Sequence, residues 1–290
     1  MSTAARASFN AGMIQMRSGL DPAANLAAAL DLIDQAKTAG ADYVLTPEMT
    51  NILAIKREQL FANIVAEEQD STLATLREVA RQLAIYIHIG SLAIKTSPGK
   101  AVNRSFLIDR KGEVAARYDK IHMFDVDLAA GESYRESSQF RPGQETVVVE
   151  TPFARVGLTI CYDLRFPALY RALAQAGAEI LTIPSAFAVA TGRAHWHTLL
   201  RARAIETGCF VLAPAQTGTH AEGRKTYGHS LIVDPWGEVL ADGGEDVGIV
   251  TAELDLGRVA EARRMVPSLQ HDRPFAPPRR IKPAPAEAAD

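Results

Sequence analysis

Leu158-Thr-Ile-Cys161-Tyr-Asp163-Leu-Arg165-Phe-Pro167 runs from an apolar stretch through a cysteine to a proline. Val156 to Ile160 has the β-branched, uncharged composition of a buried strand. Pro167 suits the first position of a helix, where its missing N–H removes no hydrogen bond. A buried strand that turns at once into a helix is a building unit of layered α/β folds. Cys161 sits at the strand's end, where loops open to solvent. A thiol there can act as a nucleophile, whereas in mid-strand it would be packing.

Elements of the same kind extend on both sides. Phe9 to Met16 reads as a first strand. Asp21-Pro22 then supplies an N-cap and a helix-starting proline; Leu26, Ala29, Leu30, Ile33 and Ala36 share one helical face, and Gly40 ends the helix. Tyr43 to Thr46 is a second strand. Ser71 caps a helix that turns Leu73, Leu76, Ala80 and Leu83 inward, and Ile85 to Gly90 follows as a strand. Ser105 to Ile108 and Glu113 to Tyr118 flank the turn Asp109-Arg-Lys-Gly112 as a hairpin. Val147 to Val149 precedes the quoted stretch as a strand. A helix at 167–175, a strand at Ile180 to Ile183, a helix from His195 to Thr207 and strands at 210–213, 230–233 and 249–254 come after it. Helices alternate with strands at both ends while hairpins interrupt the middle. That pattern predicts an α/β fold with mixed sheets, not a purely parallel one. No linker or short repeat divides the chain, so a single domain is expected despite its 290 residues.

Composition narrows the function classes. A net charge of −3 with scattered Lys and Arg, apart from a small group at Arg279, Arg280 and Lys282, gives no nucleic-acid footprint. Met1 to Ala7 is polar with no apolar stretch after it, so no signal peptide is expected. Ala172 to Ala190 is interrupted by Gln175, Glu179 and Pro184, so no membrane span is expected either. Two cysteines, Cys161 and Cys209, cannot make a disulfide framework and suit a reducing cytoplasm.

Glu48 follows the strand that leads into Thr46-Pro47, and Lys120 follows Ala115 to Asp119. With Cys161 they make three reactive side chains just past strand ends, where sites collect in layered α/β folds. Singly, each has a plainer reading: a loop glutamate or lysine is a solvated charge, and a cysteine after an apolar run is packing. Their surroundings alter that. Thr46-Pro-Glu48, Tyr118-Asp-Lys-Ile-His122 and Cys161-Tyr-Asp-Leu-Arg-Phe-Pro167 resemble, in order and spacing, the three signatures of the nitrilase superfamily of carbon–nitrogen hydrolases. The likeness continues through Ile183-Pro-Ser-Ala-Phe187, Thr191-Gly-Arg-Ala-His-Trp196, Leu199 to Glu206 and Tyr227 to Gly237. It spans residues 8–273, leaves a proline-rich tail at 274–290, and is nearest to the Nit branch.

The resemblance implies a four-layer αββα sandwich that assembles as a homodimer or higher homo-oligomer. It implies a triad of Glu48, Lys120 and Cys161, with Glu136 as a second glutamate beside the lysine. The Tyr162 backbone N–H becomes an oxyanion donor, and Ala186, Phe187 and Thr191 become pocket wall. Arg165 is either a fork for a substrate carboxylate or the partner of a nearby acid. No metal or organic cofactor is required. The implied chemistry is hydrolysis of a small carboxylated amide through a thioester, with ammonia released. Deaminated glutathione is the first expected substrate and α-ketoglutaramate the second; N-carbamoyl amines and nitriles could use the same triad. A scaffold that has lost activity is the reading from another class.

The sequence departs from the branch at three positions near the implied pocket. Arg193 stands where proline is usual, His197 where glutamate is usual, and Thr217 where cysteine is common. His195 and His197, with His220 and His229, invite a metal reading. Side chains at i and i+2 of a helix point about 200° apart, so the first two cannot chelate together. Cys209, in Gly208-Cys-Phe-Val-Leu212, reads as a buried strand residue.

Overall fold

The computed structural model describes residues 8–128 and 133–281. Its first half contains β1 (Ser8–Gln15), α1 (Pro22–Thr38), β2 (Tyr43–Leu45), α2 (Arg57–Asn63), α3 (Ser71–Leu83), β3 (Tyr86–Ser97), β4 (Lys100–Ile108) and β5 (Val114–Asp119). Two short strands follow, β6 (Asp125–Asp127) and β7 (Ser133–Arg135). The second half begins with β8 (Val147–Glu150), β9 (Arg155–Leu158), α4 (Pro167–Gln175), β10 (Ile180–Thr182), α5 (Val189–Thr207) and β11 (Phe210–Ala213). It ends with β12 (Thr217–Thr219), β13 (Lys225–Tyr227), β14 (Leu231–Val233), β15 (Val239–Asp242), β16 (Gly248–Asp255) and α6 (Gly257–Met265).

Twelve of the strands form two six-stranded sheets, ordered β16-β1-β2-β3-β4-β5 and β15-β14-β11-β10-β9-β8, while β6-β7 and β12-β13 pair as two-stranded ribbons. Each six-stranded sheet is parallel at its centre and antiparallel at its flanks. The period of two along a strand divides the buried residues between two cores. Phe9, Ala11 and Met13 of β1, with Tyr43 and Leu45 of β2, face the second sheet and meet Val156, Leu158, Ile180 and Phe210. Ile14, Val44, Ile87 and Ile89 face the other way, onto Ala29, Ile33 and Ala36 of α1 and Leu73, Leu76 and Ala80 of α3. Leu173 of α4 and Trp196, Leu200 and Ala204 of α5 cover the far side of the second sheet. The order is helices, sheet, sheet, helices: the four-layer αββα sandwich.

Asp21 caps α1 by accepting from Ala23 N at 2.9 Å, with Pro22 at the first helical position. Several boundaries differ from the sequence reading. The cap of α3 is Asp70, which accepts from Leu73 N at 2.8 Å, and Ser71 is already helical. β3 continues to Ser97 because β4 pairs with it along its length. α5 starts at Val189, six residues before His195, although Gly192 is a poor helix former. Tyr227 explains the glycine: a Cβ at 192 would lie 2.4 Å from its ring. Beyond α6 the described chain has no regular element, and residues 271–281 are exposed. The rest of the expected tail, 282–290, and the N-terminal residues 1–7 lie outside the described residues. Among the described residues no helix is long and apolar enough to cross a membrane.

Gly90 of β3 sets how closely the two halves meet. A Cβ there would lie 2.0 Å from Thr46 O, 2.6 Å from Pro47 O and 2.5 Å from the Pro184 side chain. Two of these contacts are backbone, which cannot rotate away. Gly90→Ala is expected to cost about 3 kcal/mol or more in urea unfolding and to displace the loop that carries Glu48. A stability unchanged within error would show that the approach is looser than described.

Candidate active site

Three strand ends and one turn converge. Glu48 lies in the loop after β2, where Thr50 N and Met49 N bond to Ser91 O and Oγ, both at 2.9 Å, and Gln216 Nε2 bonds to Glu48 O at 3.0 Å. Lys120 follows β5 directly; its N–H donates to Asn103 O at 2.9 Å, and its carbonyl accepts from Gly143 N at 2.8 Å. Cys161 opens a short 3-10 turn with φ of 49°, a left-handed conformation that a β-carbon disfavours. Its N–H donates to Pro184 O at 3.0 Å, which pins the strained residue to the loop after β10.

Lys120 is buried, and its ammonium sits between two carboxylates. Nζ lies 2.9 Å from Glu48 Oε1, and 3.0 and 2.8 Å from the two Glu136 oxygens. Asn103 Nδ2 donates to Glu48 Oε1 at 2.8 Å and to Glu136 Oε1 at 3.3 Å. Ala186 N–H donates to Glu48 Oε2 at 2.8 Å, and Phe124 N–H to Glu136 Oε2 at 2.7 Å. Every oxygen of both carboxylates thus has a donor, as buried charges require. Burial pushes the Glu48 carboxyl up, but Lys120, the Cys161 thiol and Arg224 together hold it below the ordinary carboxylate range. Burial pulls Lys120 down, and Glu136 and Glu48 more than reverse that, so it stays an ammonium.

The Cys161 thiol is raised well above its ordinary value, first by burial and then by the Glu48 charge, with Lys120 opposing. The resting thiol is therefore neutral and sits beside a carboxylate, an arrangement in which a carboxylate can accept a thiol proton. Tyr162, the second residue of the turn, has an N–H without an intrahelical acceptor, the form an oxyanion donor takes.

Asp163 holds the nucleophile and the lysine in register. One of its oxygens accepts from Tyr118 Oη at 2.7 Å and Ile160 N at 2.9 Å; the other accepts from His122 N at 3.0 Å and lies 2.7 Å from His122 Nδ1. Tyr118 and His122 bracket Lys120, while Ile160 precedes Cys161. This fully buried carboxylate therefore ties the two strand ends together.

Glu48, Lys120, Glu136, Cys161, Tyr162, Ala186, Phe187 and Thr191 all line one cavity of about 290 Å³, closed by Ile52, Leu60, Phe124, Tyr134 and Phe140. Arg165 is not in that wall. Its guanidinium lies 5.9 and 5.3 Å from the Tyr162 and Phe187 ring centres and 3.3 Å from His195 Nδ1. Besides Lys120 the wall carries two cations, Arg135 and Arg224, which the sequence reading passed over. Asn103 was missed too; an asparagine fully buried in a strand goes against β propensity, and that was its signal.

The four histidines do not gather as one set. His197 Nε2 and His229 Nδ1 lie 3.1 and 2.9 Å from Asp242 oxygens, and their ligand-type atoms all fall within 4.8 Å of one another. His220 is buried against Ser18 O and Thr226 Oγ1 at 2.9 and 2.6 Å. Cys209 is fully buried, with Arg263 Nη2 3.1 Å from its sulfur.

A family model described as carbon-nitrogen hydrolase matches residues 10–264. A protein from Yersinia enterocolitica called deaminated glutathione amidase is 40% identical over 268 residues, which cover 91% of this chain and 93% of that one. The crystal structure of the C. elegans NitFhit protein superimposes with a TM-score of 0.85 at 37% identity, covering 93% of this chain and 66% of that longer one. Saccharomyces cerevisiae Nit3, a member of branch 10 of the nitrilase superfamily, superimposes with a TM-score of 0.80 at 28% identity over 92% of this chain and 97% of its own.

The electrostatics predict the pH response of the thiol. An ordinary cysteine titrates near about 8.5. With its pKa raised and Glu48 ionised, Cys161 should alkylate with iodoacetamide at a rate that shows no step between about pH 6 and 9. On the acid side the rate should fall only as Glu48 takes up a proton, below the ordinary carboxylate range. Mass-spectrometric mapping of the adduct checks this. A labelling step near pH 8.5 at Cys161 would mean an exposed, independent thiol.

Proposed function

The chain belongs to the carbon–nitrogen hydrolase family, and from that premise we propose that it is a cysteine-dependent amidase acting on a small carboxylated amide, with deaminated glutathione as its substrate. The supporting observation is a neutral thiol, a carboxylate and a buried ammonium assembled on one cavity wall. The relative from Yersinia enterocolitica that carries this activity in its name aligns over nearly the whole chain.

In this reading Cys161 Sγ attacks the amide carbon while its proton passes to Glu48. The carbonyl π pair becomes an oxyanion held by Lys120 Nζ and the Tyr162 N–H. Glu48 returns the proton to the nitrogen, the C–N bond breaks, and a thioester remains. Glu48 then takes a proton from water as the hydroxyl adds to the thioester, and collapse returns the sulfur its proton. Glu136 keeps Lys120 charged and aimed throughout. The leaving amine is ammonia for a primary amide such as α-ketoglutaramate. For deaminated glutathione it is the nitrogen of cysteinylglycine, so the ammonia expected from the sequence applies to primary amides alone.

We further propose that the chain self-assembles and works in the cytoplasm. Ile205, Trp236 and Val266 are 55%, 56% and 55% exposed around a groove between α5 and α6, an apolar surface of the kind a second copy covers.

The test is formation of 2-oxoglutarate from deaminated glutathione and from α-ketoglutaramate. The expected kcat/KM is higher for deaminated glutathione, and Cys161→Ala should lower kcat at least about 10⁴-fold on both. A preference for α-ketoglutaramate would reassign the substrate. Activity retained in Cys161→Ala would overturn the mechanism.

A further inference from the structure

The cavity holds a cation that the triad chemistry does not use. Three basic side chains line the wall in addition to the apolar residues. Lys120 is engaged by Glu48 and Glu136, and Arg135 by Asp127 at 2.7 and 2.9 Å. Among the described residues Arg224 makes no salt bridge; its charge acts on Glu48 only through space. Nη2 donates to Ala186 O at 2.9 Å, the guanidinium lies 5.5 Å from the Tyr134 ring centre, and Nε is buried without an acceptor. The acid nearest in sequence, Glu222, is turned away: it accepts from Ile55 N and Lys56 N at 2.9 and 3.2 Å. That clamp, with His220 N bonded to Arg224 O at 2.8 Å, fixes the loop that presents the arginine.

A buried N–H left without an acceptor is costly, so one at a cavity wall favours a ligand that brings an acceptor. Nε–H and a terminal N–H of guanidinium form a planar fork that matches a carboxylate. Arg224 is also positioned relative to Glu48, because Ala186, whose carbonyl accepts from it, donates its own N–H to Glu48 at 2.8 Å. We infer that Arg224 is the anion-binding residue of the pocket and receives a carboxylate of the substrate. Arg165, outside the wall, supports the Tyr162 and Phe187 rings. The inference rests on the amidase reading and adds the source of its selectivity.

Deaminated glutathione carries two carboxylates, one on the oxoglutaryl part and one on the glycine, and either could fill the fork. The test compares the parent compound with two monomethyl esters, one at each carboxylate, in wild type, Arg224→Gln, Arg224→Lys and Arg165→Gln. Wild type should lose about 10- to 100-fold in kcat/KM on one of the two esters. Arg224→Gln should lose a similar factor on the parent, mainly in KM, and show little further loss on that same ester. Arg224→Lys should recover part of the parent activity. Equal loss on all three compounds in Arg224→Gln would reduce Arg224 to a support for Ala186 and overturn the inference. So would ester discrimination that disappears in Arg165→Gln while surviving in Arg224→Gln.

If wild type hydrolyses none of the three, the substrate reading fails, and a binding measurement still decides the inference. Calorimetric titration of Cys161→Ala with glutarate should show an affinity that drops at least about tenfold when Arg224→Gln is added. An unchanged affinity overturns it.

Discussion

The site depends on one buried ammonium held between two carboxylates. Removing Lys120 from water is unfavourable unless opposite charge and hydrogen bonds surround it, and Glu48, Glu136 and the Asn103 amide meet that need together. Deleting one partner of such a group typically costs about 3–5 kcal/mol, because the remaining charges stay buried. Two negative charges against one positive leave the cluster with no reason to accept a third. Burial first, and then the Glu48 charge, disfavour the Cys161 thiolate, and the same carboxylate is placed to take the proton. Positioning and reactivity follow from the same charge count.

The fold supplies the convergence. Parallel strands at the centre of each sheet end on the same side, so the loops after β2 and β9 can meet with the end of β5. Gly90 lets the Glu48 loop and Pro184 approach to backbone contact. Asp163 links the segment around Lys120 to the nucleophile turn, and the Ala186 N–H reaches Glu48 from the loop after β10. Each of these supports restricts a residue of the Glu48, Lys120 and Cys161 cluster.

Much of this was readable from residue order. β-branched runs ending in Pro-Glu or in Cys-Tyr-Asp mark strand ends, and the three reactive side chains sit beside those marks. Glu136 was readable only through the family resemblance, since a glutamate followed by two serines looks like a loop charge. Arg224 carried no such signal: in Glu222-Gly-Arg-Lys225 it reads as one solvated charge among three. Its role depends on where Glu222 turns, which is a long-range contact to residues 55 and 56. The early start of α5 was hidden in the same way, because Gly192 is explained by a ring thirty-five residues further along the chain. Local chemistry could be read directly; partners brought together by folding could not.

The central claim is that Cys161 forms a covalent acyl intermediate assisted by Glu48 and Lys120. Rapid-quench mass spectrometry of the intact protein during turnover of deaminated glutathione tests it most directly. The expected result is a transient oxoglutaryl adduct that maps to Cys161 and decays as product accumulates. Turnover with Cys161 unmodified throughout, or an adduct on any other residue, would contradict it.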